Sequence, residues 1–540
     1  MMSTLMDADS NLTMTGGLAV RSRILLGRDR LSIDEVLAVA HGRARVELDS
    51  SPEVQKRLQA SHAAVEKLRL SGSSLYGVTT GVGASVNNEI PEDLHAELPL
   101  NLLRFHGCGT GRLLDDVEAT AVLVARAASL ARGFSGVRPL LIERLCELAN
   151  RRILPCIPAE GSVGASGDLT PLSYVASLLV GEREARVNGE MIPAAEALAA
   201  QGLEPIALEP KESLAIMNGT SVMSALACLA FDSSLTLARA ACAITAVASD
   251  TTLGNPGHFD ERIALAKPHP GQLLATRWIA EDLALDADAP RVSPARVQDR
   301  YSIRCAPQIV GVLLDALRHA REMIEIELTA ANDNPLIDPE TGDSLHGGNF
   351  YGGHLCFAMD SVKSAVASVA DMLDRQLVLL CAPETSGGLP ENLVARSGRD
   401  RVVHHGFKAM QITASALTAE AQKLSSPASA FSRSTESHNQ DKVSMGSIAV
   451  RVCLRIVELT ETVSAISILA VVQAVDLRGE TASAARSRAL HEAVRKTVEL
   501  NSADRRQDRD IENILERLRS RDLPLGDIAV AALDANTARG

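Results

Sequence analysis

The stretch Gly161-Ser162-Val163-Gly164-Ala165-Ser166-Gly167-Asp168-Leu169-Thr170-Pro171-Leu172-Ser173 decides how the chain is read. Its centre, Ala165-Ser166-Gly167, is built of small residues, so the backbone can fold back on itself. The amide nitrogen of Gly167 can then reach the carbonyl carbon of Ala165, and glycine suits this approach because it has no Cβ to clash and tolerates unusual φ/ψ. Closing that ring with loss of two waters turns Ser166 into a dehydroalanine inside an imidazolone. The product is an electrophile, which no ordinary side chain supplies. A bare Ala-Ser-Gly is common in Ala-rich chains and reads as a loop between two helices, so the surrounding sequence has to decide.

The bulk numbers set the frame. A chain of 540 residues with 46% hydrophobic and 22% charged residues is an ordinary soluble composition with length for large cores. The net charge of -13 offers no bulk basic field to nucleic acid or an anionic membrane. Nine cysteines stand singly, odd in total and without Cys-x-x-Cys, which argues against a disulfide framework or zinc site and fits a reducing cytosol. Residues 1–17 are polar and lack the apolar core of a signal peptide. The apolar run 463–475 is interrupted by Ser464, Ser467 and Gln473 and reads as a buried helix. Aromatic residues make up only 2%, and the four tyrosines, Tyr76, Tyr174, Tyr301 and Tyr351, all lie in or beside the motifs quoted below. Core filling would scatter them, so their clustering favours chemistry.

Working outward, residues 1–30 read as a tail. Ser32-Ile-Asp-Glu35 is a capping box that starts a helix. Ser51-Pro52-Glu53 starts another, with Val54, Leu58, Val65 and Leu68 as its apolar face. Residues 75–88 are non-periodic and Gly/Thr/Asn-rich, a loop. Helical periodicity returns at 98–105, 115–131 and 139–150, and again at 171–180 after the central loop, while 187–192 reads as a hairpin turning at Asn188-Gly189. From Glu212 long apolar helices dominate: 212–251, 307–331, 354–380, 399–424 and 444–476. Gly479 marks a break, and the charged remainder carries Ile511, Ile514, Leu515 and Leu518 as one apolar face. The expected fold is mainly α: a tail (1–30), a loop-rich N-terminal domain carrying the electrophile (31–211), a central long-helix bundle (212–479) and a small C-terminal helical region (480–540).

Several separated motifs fall in one order: Tyr76-Gly-Val-Thr-Thr-Gly-Val-Gly83, Gly164-Ala-Ser-Gly-Asp-Leu-Thr-Pro-Leu-Ser173, Asn218-Gly-Thr220, Gln298-Asp-Arg-Tyr-Ser-Ile-Arg304, Asn332-Asp-Asn-Pro335, Gly347-Gly-Asn-Phe350 and His438-Asn-Gln-Asp441. Together they resemble the histidine, phenylalanine and tyrosine ammonia-lyase family, from about residue 31 to about residue 479. That family builds 4-methylideneimidazol-5-one (MIO) from Ala-Ser-Gly. The resemblance implies that Ala165, Ser166 and Gly167 form MIO, with no metal or diffusible cofactor. It also implies a homotetramer whose active sites draw residues from three subunits.

Loss of ammonia from an α-amino acid is difficult twice over: the amine is a poor leaving group and the β-hydrogen is barely acidic. An electrophile at Ser166 addresses the first problem and a strong, placed base the second. Tyr76 heads a glycine-rich loop and is the candidate base; the matching family tyrosine takes the β-proton. With a reference pKa near 10 it needs positive charge or hydrogen bonds to its phenolate. Arg304 suits a substrate carboxylate through two parallel hydrogen bonds. Gln298 and Tyr301 lie six and three residues earlier and share its side if the stretch is helical. The resemblance gives Tyr301 a supporting role at the prosthetic group or leaving amine. It places Asn218 at the prosthetic group's carbonyl region and Phe350 beside the electrophile, and it makes Glu420 a pocket glutamate. Asn334, Asn439 and Gln440 are candidate supporting hydrogen bonders.

Substrate choice in the family turns partly on a residue pair that falls here on Phe105-His106. Phenylalanine lyases place Phe then Leu there, tyrosine lyases His then a neutral residue, histidine lyases Ser then His; this pair matches none. Phe105 offers an apolar wall, and His106 a polar handle for an imidazole, hydroxyl or methoxy oxygen. His438-Asn-Gln-Asp441 looks like the phenylalanine and tyrosine branch. The expectation is therefore an aromatic, phenylalanine-like or tyrosine-like substrate, with or without ring substituents, converted to a trans-arylacrylate. The alternatives are histidine giving urocanate, a 2,3-aminomutase that returns ammonia to the β-carbon, and an inactive helical structural or binding protein.

Overall fold

In the Ser221–Thr251 helix nearly every side chain is buried, and the other long helices are arranged around it. The computed structural model describes residues 22–72, 74–284, 294 and 296–528. Gly353–Cys381 and Gly446–Arg478 pack on each other, and both touch Ser221–Thr251. Ala306–Thr329 closes another side with Pro270–Asp282 against it, and Lys408–Leu424 lies across Gly353–Cys381 and Gly446–Arg478. Alanine-rich faces allow this close approach. Several of their Ser and Thr hydroxyls donate back within the helix, Thr245 to the Ala241 carbonyl at 2.7 Å and Ser464 to that of Thr460 at 2.8 Å, while those of Ser221, Ser234 and Thr418 are buried without a partner among the described residues. The helices at Ser221–Thr251 and in Gly446–Thr481 are long and apolar enough to cross a membrane, but 83% and 89% of their most apolar windows are buried inside the fold.

The N-terminal part is a shorter set of helices with small sheets. Ser32 with Glu35 forms the expected capping box before Ile33–Ala40, Asp115 with Glu118 forms another before Asp116–Ala131, and the expected Ser51 cap of Pro52–Leu70 makes no side-chain hydrogen bond. Glu184–Val187 and Glu190–Pro193 form the expected hairpin. Thr110–Leu113 pairs antiparallel with Pro158–Glu160, directly ahead of the central loop.

Three expectations change. Ser22–Leu26, inside the stretch read as a tail, is a strand pairing parallel with Ala44–Leu48; residues 1–21 lie outside the described residues. The helix read over 212–251 is two helices, Glu212–Met217 and Ser221–Thr251, because Asn218 is extended and Gly219 has φ +147°. The helix read over 399–424 begins at Lys408; Gly398–Val403 is a 3-10 segment and Gly406 has φ +52°.

Two buried arrangements brace the body. Arg239 pairs with both oxygens of Asp282 at 2.7 Å, and Arg486 joins the same carboxylate at 2.7 Å, tying the Ala485–Arg495 helix to the bundle. Lys211 and Asp333 form a fully buried ion pair. Losing one partner of such a pair costs about 3–5 kcal/mol, because the other charge is left stranded.

Candidate active site

The central loop turns back on itself because Ser166 and Gly167 both adopt positive φ, 51° and 77°. It is pinned on the N-termini of the two longest helices. The Asp168 carboxyl accepts from the Met223 amide at 2.9 Å and from the Ser447 hydroxyl at 2.6 Å, and the Met445 amide donates to the Val163 carbonyl at 2.9 Å. A carboxylate is favoured at a helix N-terminus. Burial nevertheless raises Asp168 to about 6, against the pull of those hydrogen bonds.

Asn218-Gly219 lies alongside the loop. The Gly219 amide donates to the Ser166 carbonyl at 3.2 Å, and the Asp168 amide donates to the Gly219 carbonyl at 2.7 Å. The approach is too close for side chains: a Cβ on Gly167 would lie 2.1 Å from the Gly219 oxygen. The Asn218 side-chain amide nitrogen donates to the Asn334 carbonyl at 2.9 Å, while its Oδ1 is buried without a partner among the described residues. The turn at Ser166-Gly167, the half-buried Ala165 and Ser166 beside it and this orphaned oxygen fit an imidazolone formed from Ala165-Ser166-Gly167.

A cavity of about 740 Å³ opens over the loop. It is lined by Ala165, Ser166, Asn218, Tyr76, Phe105, His106, Phe350, Asn439 and Gln440, so most of the sequence-selected residues converge on one space. Gly167 is buried just beneath it. The Gly83 amide donates to the Tyr76 phenol oxygen at 2.8 Å. Burial raises the Tyr76 pKa above its ordinary value, the Gly83 hydrogen bond opposes that shift, and Glu436 adds to it.

Phe105 ends the Leu98–Phe105 helix and its ring sits 4.1 Å, centroid to centroid, from that of His106. The His106 Nδ1 lies 2.9 Å from the Leu102 carbonyl oxygen, which can only accept, so Nδ1 carries a hydrogen. Burial lowers the His106 pKa, so the ring is neutral at pH 7 and Nε2 is an acceptor. Arg183 donates to the Leu103 carbonyl at 2.7 Å and holds this helix end in place.

Three residues that line the site received no specific role from the sequence. Glu436 lines the cavity and accepts from the Ala84 amide at 2.9 Å, clamping the Tyr76 loop. Its position two residues before His438 was the available signal. Tyr351 also lines the cavity and donates to the Val443 carbonyl at 3.4 Å. Lys442 is the one Lys or Arg among the described lining residues. The segment carrying these groups is strained, with φ of 50°, 54° and 63° at Glu436, Ser437 and His438. Each such non-glycine residue costs roughly 1–3 kcal/mol.

Besides Gly167, four selected residues do not line this cavity. Glu420 pairs with Arg455 at 2.8 Å on the exposed face of its helix. Tyr301 is 71% exposed, and the Arg304 guanidinium stacks over its ring at 4.7 Å while donating to the Asp299 carbonyl at 3.0 Å. Gln298 is exposed and precedes the single turn Tyr301–Arg304, so only Tyr301 and Arg304 share the helical side expected for all three. The tyrosines also divide: Tyr174 lies under Arg183 and accepts from the Gly109 amide at 3.2 Å, a structural position.

The aromatic amino acid lyase family model matches residues 31–496. The chain is 40% identical over 489 residues to a histidine ammonia-lyase of Gloeobacter violaceus, covering 90% of this chain and 94% of that one. Among solved structures, tyrosine aminomutase from Streptomyces globisporus superposes with a TM-score of 0.87 at 34% identity, covering 96% of this chain and 99% of that one. Histidine ammonia-lyase from Trypanosoma cruzi superposes with a TM-score of 0.84 at 30% identity, covering 95% and 97%.

Proposed function

The chain belongs to the aromatic amino acid lyase family and is a carbon–nitrogen lyase, and from that premise we propose that it eliminates ammonia from L-histidine to give urocanate. The observation that carries this reading is the near full-length likeness to a histidine ammonia-lyase at 40% identity. It favours histidine, the alternative at the sequence level, over the phenylalanine-like substrate expected there. His106 supports it: a neutral ring whose Nε2 accepts can take a hydrogen bond from a substrate imidazole N–H, and phenylalanine has no such donor. His106 also stands in the second place of the specificity pair, as in the histidine branch.

The family uses MIO, and in this reading Ala165, Ser166 and Gly167 form it, with Asn218 Oδ1 beside it. When formed, the group supplies an electrophile for the substrate amine. Tyr76 takes the β-proton at its phenol oxygen, supported by the Gly83 amide. Phe105 and Phe350 wall the ring, and Asn439 and Gln440 supply hydrogen bonds at the cavity edge. Arg304, Tyr301, Gln298 and Glu420 stand away from this chain's own cavity. Their roles at the substrate carboxylate, amine and pocket fit a homotetramer in which Arg304 of the partner subunit completes each site. The exposed Val312, Phe357 and Ile412 on the outer faces of the long helices, 61%, 61% and 67% accessible, suit such contacts. Nine free thiols fit a cytoplasmic setting.

A second reading is favoured by Phe105, by His438-Asn-Gln-Asp441 and by the likeness to tyrosine aminomutase: a tyrosine-like substrate whose phenol hydroxyl meets His106. Ultraviolet monitoring of the purified chain with L-histidine, L-tyrosine and L-phenylalanine in turn separates the readings. Urocanate from histidine supports the proposal. An arylacrylate from tyrosine with histidine inert replaces it with the second reading, and a β-amino acid product makes the chain an aminomutase. No turnover together with an unshifted intact mass makes it an inactive structural protein.

A further inference from the structure

Arg126 is fully buried, yet among the described residues no carboxylate lies within ion-pair distance of it. Arg239 is just as deeply placed and is answered by Asp282 through two hydrogen bonds. A buried guanidinium without a direct counter-ion is expensive, and core packing alone is served as well by an apolar side chain. What Arg126 touches instead is main chain at the loop. Its Nη1 donates to the Asn218 carbonyl at 3.1 Å, and its Nη2 donates to the Ser129 hydroxyl at 3.2 Å. Ser129 donates to Asn332 Oδ1 at 3.0 Å, the Asn332 amide donates to Thr220 Oγ1 at 2.8 Å, and Thr220 donates to Glu327 at 2.7 Å.

Gly219 is compressed between this assembly and the loop. A Cβ there would lie 2.3 Å from Arg126 Nη1 and 2.4 Å from Asn332 Oδ1. On its other side Gly219 pairs with the Ser166 carbonyl and the Asp168 amide, the two groups that flank Gly167 along the chain. Arg126, Gly219 and Gly167 therefore form three layers in contact.

We propose that Arg126 is a positioning residue for formation of the electrophile: its two-pronged guanidinium is the back wall that holds Asn218-Gly219 against Ser166-Gly167. This rests on the reading that the chain cyclises Ala165-Ser166-Gly167. Cyclisation joins the Gly167 nitrogen to the Ala165 carbonyl carbon. That oxygen leaves as water with the Gly167 and Ser166 amide hydrogens, and the Ser166 hydroxyl leaves as a second water with the Ser166 α-hydrogen. A back wall that yields lets the two reacting atoms drift apart, and a misplacement of about 1 Å slows such a step roughly a hundredfold.

The test is the intact mass of full-length wild type, Arg126→Gln, Arg126→Lys and Arg239→Gln, each with its melting temperature. Wild type should lack two waters. Both Arg126 variants should retain a large fraction of chains at the uncyclised mass, Lys included, because it cannot span Asn218 and Ser129 at once. Arg239→Gln should melt earlier yet be fully cyclised, which separates a structural arginine from a positioning one. Complete water loss in a soluble Arg126 variant overturns the proposal. If neither Arg126 variant is soluble, Ser129→Ala, which frees one prong and keeps the charge, is read the same way: an uncyclised fraction supports the proposal and complete cyclisation overturns it. A wild type of unshifted mass overturns the underlying reading.

Discussion

The Gly83 amide hydrogen-bonds the Tyr76 phenol oxygen at 2.8 Å, so the candidate base is held by the glycine-rich loop that it heads. A donor at that oxygen favours the phenolate, while burial and the Glu436 carboxylate favour the neutral phenol, and the net shift is upward. Below its pKa the phenolate fraction falls about tenfold per pH unit. The expected kcat/KM therefore climbs between about pH 7 and 9, and Tyr76→Phe lowers turnover by about 10²–10⁴-fold while leaving the two-water mass loss intact. Initial rates across pH and intact mass check both. Near-normal rates in the variant would transfer the base role to another group.

His106→Leu removes the acceptor that the Leu102 carbonyl holds in its neutral tautomer. Stranding a substrate N–H costs about 1–3 kcal/mol, so histidine turnover should fall roughly 10- to 100-fold while phenylalanine gains relative to it. Competition assays with paired substrates measure the ratio, and an unchanged ratio makes His106 a structural residue.

Arg304 and Tyr76 lie in different places on one chain, and only Tyr76 lines the cavity. If copies share sites, Tyr76→Phe and Arg304→Ala chains, each inactive alone, should regain activity when co-expressed, because some mixed sites receive both intact residues. Failure of tagged, co-purified mixtures to recover any activity would confine each site to one chain.

Burial raises Glu327 to about 7, and the hydrogen bond from Thr220 opposes the shift. The unfolded carboxyl ionises near its ordinary 4.5, while the folded one keeps its proton to about 7. Stability from this group is thus full below the unfolded value and is lost as pH rises through about 7. Asp168, raised to about 6, loses stability in the same direction over a lower window. Glu327→Gln should match wild type closely at pH 5 and melt later than wild type at pH 8. Melting curves at the two pH values decide, and a variant that melts earlier at pH 8 would mean that Glu327 works there as an anion.

The long helices were legible because their apolar residues recur at helical spacing, and Gly353–Cys381 and Gly446–Arg478 begin and end within a few residues of the expected bounds. The break at Asn218-Gly219 was not, because its cause lies in the Ser166-Gly167 backbone more than fifty residues away. Periodicity is local and cannot register such an approach. Tyr76, Ser166, Asn218, Phe105, His106 and Phe350 were found by motif and do meet in one cavity. Glu436 was not singled out because a glutamate in a left-handed turn looks like any other glutamate in sequence. Tyr174 was over-read for the opposite reason: rarity was taken as function where Arg183 and the Gly109 amide give it a packing role.

The loop at Ser166 is completed by residues that arrive late on the ribosome. The Ser447 hydroxyl that grips Asp168 is 279 positions downstream of it. If the loop cyclises as proposed and needs this grip to do so, the nascent chain leaves the exit tunnel without its reactive group, and maturation waits until the helix Gly446–Arg478 has docked. Truncated translation products ending before that helix would then be chemically harmless, and the appearance of the electrophile becomes a built-in report that the chain was both finished and correctly folded.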